Sequence, residues 1–175
     1  MKYFLTLAFV YLFAFNSNAQ TRNSVGLGGG VAFPSGKIYN TGWYSSLHWN
    51  IGVGPSSLID THFSLTKIGV KDYHVGPGIG NTDAIYELGI GFRQYFGKQL
   101  FARGGVAAAL IDQSEETVKL VPNIGIGYDL FLTERQSIEL SLKSEFINNY
   151  RYFNSQKNLS VFSLGVAYKL WYFNK

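Results

Sequence analysis

The sequence has 175 residues, a net charge of +4 and no cysteine. This length fits a single domain, the charge is too mild to indicate nucleic-acid binding, and the absence of cysteine excludes disulfides, thiolate metal sites and thiol nucleophiles. Twenty glycines, 17% aromatic residues and only 15% charged residues are atypical of a soluble helical domain and favour a β-barrel in contact with lipid.

The N-terminus has the pattern of a secretory signal peptide. A single lysine precedes residues 3–15, which are almost entirely apolar. This run is shorter than the roughly 20 residues that a membrane-spanning helix needs. Ser17 and Ala19 provide the small residues that signal peptidase requires. We therefore predict a signal peptide over residues 1–19 and an outer-membrane β-barrel over residues 20–175.

Beyond the signal peptide, apolar side chains alternate with polar or small ones, which indicates strands with two different faces. In residues 137–145, for example, isoleucine and leucine alternate with glutamate, serine and lysine. Eight segments have this character, namely residues 24–33, 46–52, 60–66, 86–93, 100–111, 123–130, 137–145 and 162–170. A tilted strand needs about 9–11 residues to cross a bilayer. The predicted fold is all-β, an eight-stranded antiparallel up-and-down transmembrane β-barrel.

The connections between these segments are predicted to alternate strictly between long and short. The long or medium connections are residues 34–43, 69–82, 112–119 and 148–159, and the tight turns are residues 55–57, 97–99 and 133–135. This alternation is typical of outer-membrane barrels, whose periplasmic turns are short and whose external loops are longer.

The apolar faces have aliphatic residues in the middle of the strands and aromatic residues toward both ends. Because amphipathic rings favour the headgroup region of a bilayer, we expect two aromatic girdles. The outer girdle would comprise Trp43, Tyr44, Tyr86, Phe146 and Phe162, and the periplasmic girdle Phe92, Phe96, Tyr128, Phe131, Tyr168 and Tyr172.

The opposite faces combine glycine with charged residues of both signs. Eight strands leave an interior just wide enough for side chains, and an unpaired buried charge is costly. We therefore predict a polar network that plugs the lumen, formed by Asp60, His62, Glu87, Arg93, Arg103, Asp129, Glu139, Lys143, Glu145 and Lys169. A proton or ion path is the alternative interpretation of these residues, and the strand number disfavours a wide pore.

The eight alternating segments and the aromatic final strand, with residues 165–170 reading GVAYKL, resemble small outer-membrane β-barrels of the OmpA/OmpX type. The glycine- and tyrosine-rich composition is similar to the outer membrane protein β-barrel domain family of Bacteroidetes. Such barrels usually end in an aromatic residue, whereas here Phe173 is followed by Asn174 and Lys175. The resemblance implies an outer-membrane location, contact with lipid and lipopolysaccharide, and folding by the barrel assembly machinery.

One spacing suggests catalysis. His62 and Ser64 share a strand face, with Glu87 on the next predicted strand. This is similar to barrel-type lipid A deacylases, which use a histidine and a serine on one strand with an acidic partner. In those enzymes the motif lies late in the chain on the lipid-facing wall, whereas here it is early and faces inward. His48, His62 and Asp60 also permit a metal site, but hydrogen bonding is favoured, and no metal or other cofactor is predicted.

The outer connections hold the remaining interaction candidates, which are Tyr73, His74, Tyr150, Arg151, Tyr152 and Phe153. Such side chains suit lipopolysaccharide phosphates or a protein partner, or they extend the outer girdle. The leading functional hypothesis is a non-enzymatic barrel with a structural or surface-interaction role. The alternatives are a lipid A-modifying enzyme and a soluble lipocalin-like barrel with an apolar, ligand-holding interior.

Overall fold

The computed structural model describes residues 22–36, 39–70, 82–111, 118–152 and 155–173, without the side chains of residues 149–157 and 173. The predicted signal peptide, residues 1–19, lies outside this range. The eight strands are β1 (Arg22–Pro34), β2 (Tyr39–Gly52), β3 (Ser57–Val70), β4 (Thr82–Phe96), β5 (Leu100–Ile111), β6 (Lys119–Thr133), β7 (Gln136–Tyr152) and β8 (Ser155–Phe173). The described residues contain no helix that is long and apolar enough to cross a membrane.

The strands form a closed antiparallel barrel in chain order, which confirms the predicted fold class. Each strand pairs with the next, and β8 closes the barrel on β1 over thirteen residue pairs from Arg22↔Phe173 to Pro34↔Val161. Closure matters because the edge groups of the first and last strands hydrogen-bond to each other rather than to solvent.

The two faces of the sheet have opposite character, as the two-residue period requires. Large apolar side chains point outward and are exposed, to 68% for Leu27 and Leu88 and 71% for Leu120. Charged side chains on the alternate positions point inward and are buried. This is the reverse of a water-soluble protein, and it gives the barrel a continuous apolar outer surface.

The aromatic girdles are present with one correction. Trp43, Tyr86, Phe146 and Phe162 are exposed on the outside near one end, but Tyr44 is buried inside the barrel with 7% exposure. Successive residues of a strand point to opposite faces, so Trp43 and Tyr44 cannot both face outward. Near the other end Phe92, Phe96, Tyr128, Tyr168 and Tyr172 are exposed, whereas Phe131 is half-buried.

The strict alternation of connection lengths is wrong. Residues 35–38 join β1 to β2 and residues 53–56 join β2 to β3, so these two connections have equal length. The predicted long loop at residues 148–159 is mostly strand, because β7 and β8 extend over 17 and 19 residues. The sequence of this segment is polar and shows no alternation of apolar and polar residues, so it gave no strand signal. Its backbone nevertheless forms antiparallel pairs such as Tyr150↔Lys157, which do not require apolar side chains.

We call the end with the β1–β2, β3–β4, β5–β6 and β7–β8 connections the loop end, and the opposite end the turn end.

Inside the barrel, most of the buried side chains near the loop end are apolar and at most 5% exposed, and one carboxylate, Asp83, is fully buried at the same level. We call the apolar set the apolar cap; it comprises Ala32, Ile68, Val70, Ile85, Ala109, Ile111, Val121, Ile147, Leu159 and Val161. The interior therefore changes from mostly apolar at the loop end to charged in the middle of the strands.

Candidate functional site in the lumen

The charged side chains predicted for the lumen lie together inside the barrel. We call them the charged layer; it comprises Asp60, His62, Glu87, Arg93, Arg103, Asp129, Glu139, Lys143, Glu145 and Lys169, none more than 9% exposed. They come from six strands, β3 to β8. Because each occupies the inward phase of its strand, the closed sheet places all of them in one narrow space.

Arg93 is the centre of the charged layer. It is fully buried, and its guanidinium donates from Nη1 to Glu139 Oε2 at 2.7 Å and from Nη2 to Asp60 Oδ2 at 3.0 Å. Arg93 thus connects β4 to β3 on one side and to β7 across the lumen. Its guanidinium carbon also lies 4.1 Å from the centroid of the Phe101 ring. Arg103, the register partner of Arg93, approaches the same Asp60 carboxylate at 3.7 Å.

The layer continues toward the turn end through Lys169. Its ammonium contacts Glu139 and lies 3.2 Å from Asp129 Oδ1. The Tyr95 hydroxyl donates to Asp129, and the Ser137 hydroxyl makes a 3.4 Å hydrogen bond to the same carboxylate. Asp129, Lys169, Glu139, Arg93 and Asp60 therefore form a chain of alternating negative and positive charges, the arrangement that makes buried charges tolerable.

A second group lies toward the loop end. Lys143 contacts Glu145 and lies 3.7 Å from Glu87 Oε2. The Ser64 hydroxyl donates to the same Glu87 oxygen at 2.8 Å. The centroid of the Tyr44 ring is 5.7 Å from Lys143 Nζ. Tyr44, which the sequence analysis placed in the outer girdle, therefore lies beside this ammonium inside the lumen.

The three catalytic candidates are neighbours, but their contacts are not those of a catalytic triad. Ser64 donates directly to Glu87, with no histidine between them. The His62 ring lies 6.0 Å from the His48 ring in a tilted arrangement, and within the described residues its Nε2 has no hydrogen-bond partner. An activated serine needs its base within hydrogen-bond reach and access for the substrate, and all three side chains are buried in the lumen.

Of the two histidines near Asp60, His48 contacts polar side chains. His48 Nδ1 lies 3.7 Å from Asp60 Oδ1, and its Nε2 is 2.9 Å from the Ser46 hydroxyl. Within the described residues, no group of three histidine, cysteine, aspartate or glutamate side chains is placed to hold a metal ion.

The sequence reasoning missed the aromatic part of the lumen. Tyr95, Phe101 and Trp171 point inward, each two residues from a member of the charged layer on the same strand. Trp171 donates from Nε1 to the Ser137 hydroxyl at 2.8 Å. The alternation pattern predicts this inward orientation, because a residue two positions from an inward-facing charged residue lies on the same face of the strand.

The side chains of the predicted interaction residues in the outer connections all lie outside the described part of the structure. Tyr73, His74 and Phe153 lie outside the described residues. Tyr150, Arg151 and Tyr152 belong to the backbone of β7, but their side chains are outside the description.

The orientation of the two faces decides against one alternative. A lipocalin-like barrel needs an apolar cavity inside and a polar surface outside. Here the middle of the lumen is charged, and leucine, isoleucine, phenylalanine and tryptophan side chains cover the outside. The lipocalin-like alternative is therefore wrong.

Comparison with known proteins gives matches at the level of structure. No family model and no curated protein matches the sequence, so membership of the Bacteroidetes family stays a prediction. Ail, the attachment invasion locus protein of Yersinia pestis, is 13% identical with a TM-score of 0.57, over 88% of this chain and 100% of Ail. Neisserial surface protein A is 13% identical with a TM-score of 0.58, over 87% and 99%.

A third match is the outer membrane protein AlkL, whose structure was determined in lipid bilayers. It is 8% identical with a TM-score of 0.58, over 90% of this chain and 93% of AlkL. Another Ail structure contains the heparin analogue sucrose octasulfate. At these identities the likeness is one of fold. The chain therefore has the fold of the small eight-stranded outer-membrane β-barrels, as the resemblance to the OmpA/OmpX type predicted.

Proposed function

We propose that the protein is a non-enzymatic outer-membrane barrel whose plugged lumen makes it a rigid support for its loop end, which performs a structural or surface-interaction role. The observation that carries this proposal is the combination of an apolar exterior with a lumen filled by paired charges. The exterior suits hydrocarbon, and the filled lumen suits a scaffold better than a channel.

The orientation follows from the strand order. If residues 1–19 are a cleaved signal peptide, the mature chain starts beside β1 at the turn end, which then lies in the periplasm. The loop end faces the exterior, where lipopolysaccharide or a surface partner would meet the β7–β8 hairpin. Folding by the barrel assembly machinery fits this topology.

The first test is electrophoretic. The full chain is expressed in a Gram-negative host, outer membranes are collected, and boiled and unboiled samples are compared in SDS gels. We expect a fast-migrating unboiled band that moves to the full-length position on heating, and an N-terminal sequence starting at Gln20. Recovery in the soluble periplasm without a heat shift would overturn the membrane location.

The second test concerns conduction. The purified barrel is reconstituted in planar bilayers at about 1 M KCl. We expect no channel openings, because the ion-paired side chains and the apolar cap occupy the lumen in series. Regular openings in the wild-type protein would contradict the plugged lumen and revive the ion-path interpretation.

The enzymatic alternative has its own readout. Lipid A from cells that express wild-type protein, the Ser64→Ala variant or no protein is compared by mass spectrometry. We expect identical acylation in all three samples, because Ser64 is buried and bonded to Glu87. Loss of an acyl chain that requires Ser64 would replace the scaffold proposal with a lipid A-modifying enzyme.

A further inference from the structure

The outer wall of the barrel carries a single charge among its described strand side chains. All the other charged side chains described in the strands lie on the inward phase, whereas Lys67 of β3 lies on the outward phase and is exposed. The outward residues that precede it on β3, Phe63 and Leu65, are apolar. A charge on a lipid-facing wall is costly near the middle of a bilayer and costs little at the interface. The height of Lys67 on the wall therefore determines what it meets.

Lys67 lies at the height of the outer aromatic girdle, three residues before the end of β3 at Val70. It is the register partner of Trp43 on β2 and of Ala84 on β4. Tyr86 is the next outward residue of β4, and Trp43 and Tyr86 are 50% and 43% exposed. Because such girdles lie in the headgroup region, the Lys67 ammonium reaches the level of lipid phosphate groups.

The backbone places Lys67 and Trp43 side by side. Asn40 pairs with Gly69 and Trp43 with Lys67, so β2 has one residue more than β3 between the two pairs. Such a bulge changes the direction of nearby side chains, and here it puts Trp43 rather than Gly42 opposite Lys67. A β-carbon on Gly42 would overlap the Lys67 carbonyl oxygen, so the two strands approach closely at this point. Residues directly opposite each other have their β-carbons about 5 Å apart.

The described part of the wall offers Lys67 no anion. The acidic side chains of the described strands all lie on the inward phase, including Asp83, which is next to Ala84 in the chain and fully buried. An exposed ammonium beside two amphipathic rings complements a lipid that carries a phosphate group. The phosphate would bind the ammonium through charge-assisted hydrogen bonds, while the apolar part of the lipid would pack against the rings.

We propose that Lys67, with Trp43 and Tyr86 beside it, binds the phosphate group of an anionic lipid, and that in the cell this group belongs to the lipid A part of lipopolysaccharide. The choice of lipid A rests on the orientation proposed above, in which the loop end faces the exterior. The phosphate site itself needs only a barrel in a bilayer. One cation near an anionic membrane surface contributes about fivefold to binding, so the site selects among lipids rather than holding one permanently.

Two tryptophans of β2 provide matched reporters. Trp43 lies opposite Lys67, whereas Trp49 is 56% exposed on the same strand and lies opposite Thr61. Trp171 is 4% exposed inside the lumen and gives a constant background. The W49F and W43F variants of the full mature barrel, which retain one wall reporter each, are reconstituted in vesicles of phosphatidylcholine and phosphatidylglycerol. Bromine is placed on the acyl chains of one lipid or of the other, and the quenching of tryptophan fluorescence is measured.

Bromine quenches an indole only at close range, so the two quenching levels report which lipid lies beside each tryptophan. We expect Trp43 to prefer phosphatidylglycerol over phosphatidylcholine by about fivefold, and Trp49 to show no preference. Lys67→Gln should abolish the preference at Trp43, whereas Lys67→Arg should retain it, and the gel shift confirms that both variants are folded. An equal preference at the two tryptophans, or one that survives Lys67→Gln, would overturn the site.

Competition identifies the source of the phosphate. Unbrominated lipid A added to the vesicles should displace brominated phosphatidylglycerol from Trp43, whereas lipid A without its phosphates should not. Equal displacement by both forms would mean that acyl packing decides the contact, and it would overturn the phosphate site. Inorganic phosphate should lower the preference no more than NaCl of equal ionic strength, which acts by screening; a larger effect would assign the site to soluble anions instead.

The same measurement separates this proposal from the proposed function. Absence of quenching at both tryptophans would mean that the barrel is not in the bilayer, and it would overturn the membrane location together with the site. Quenching of Trp43 to the same extent by the two brominated lipids would overturn the site alone.

Discussion

The charged layer and the apolar cap fill the same narrow lumen by different physical means. In the charged layer, Arg93 holds two carboxylates from different strands at 3.0 Å or less. In the cap, side chains such as Ile85 and Leu159 exclude water by packing alone. Ion pairs depend on geometry and partner, whereas aliphatic packing depends mainly on volume. The two regions should therefore fail differently when a side chain is removed.

The position of each region fits its chemistry. The charged layer occupies the middle of the strands, where Lys143 lies between the outward Leu142 and Ser144. Long cations and carboxylates there bridge strands across the barrel. The cap lies where the strands approach their loop-end connections, and there it supplies a core of the kind found in soluble proteins.

The largest effect is expected from breaking the centre of the charged layer. Arg93→Met keeps much of the side-chain volume but leaves Asp60 and Glu139 without their shared cation. Removing one partner of a buried ion pair destabilises by about 3–5 kcal/mol. Urea unfolding in phospholipid vesicles, followed by the gel shift, measures the loss in free energy of unfolding.

Arg135→Met is the control for that variant, because Arg135 lies exposed in the β6–β7 turn. We expect a change within about 0.5 kcal/mol, as for ordinary surface positions. Equal stability of Arg93→Met and wild type would mean that water already solvates the carboxylates, and the lumen would then not be plugged.

A somewhat smaller effect is expected in the apolar cap. Leu159→Ala removes a side chain that is 2% exposed and leaves a cavity, which destabilises by about 2–4 kcal/mol. Leu120→Ala is the same substitution on the outer face, where Leu120 is 71% exposed. Lipid fills the space that this second variant leaves, so it should lose less than about 1 kcal/mol. Equal losses would place both side chains in similar surroundings and remove the distinction between the cap and the outer wall.

The contrast between the two regions also explains what the sequence could reveal. In the middle of the strands, inward charges such as Glu139 and Lys143 alternate with outward leucines, so both the strand and the face were predictable. In the cap, both faces are apolar, as at Leu120 and Val121, and the alternation disappears. Pairings between distant strands, such as Arg93 with Glu139, depend on the barrel's register. The sequence of a single protein does not specify that register.

A close approach inside the charged layer gives a third test. A β-carbon on Gly89 would overlap the imidazole ring of His62 on the neighbouring strand. Gly89→Ala should therefore destabilise by about 1–3 kcal/mol, as overpacking does. In a double-mutant cycle with His62→Ala, the added methyl group should cost at least about 1 kcal/mol less.

Gly104→Ala is the control for that cycle, because its β-carbon would point outward and meet only the Asn123 carbonyl at 3.9 Å. It should be close to neutral. An additive cycle, with no recovery in the double variant, would mean that His62 does not occupy the space above Gly89.

The smallest effect expected is that of salt. Ions weaken attraction only where they can reach the charges, and at about 0.1 M salt the screening length is about 10 Å. The charged layer is buried and lies behind the apolar cap on one side, so raising NaCl from about 0.05 to 0.5 M should change the free energy of unfolding by less than about 0.5 kcal/mol. Matched urea titrations in vesicles of uncharged lipid measure this difference. A loss of several kcal/mol would mean that electrolyte enters the lumen from the turn end, and the charged layer would then be a hydrated path rather than a plug.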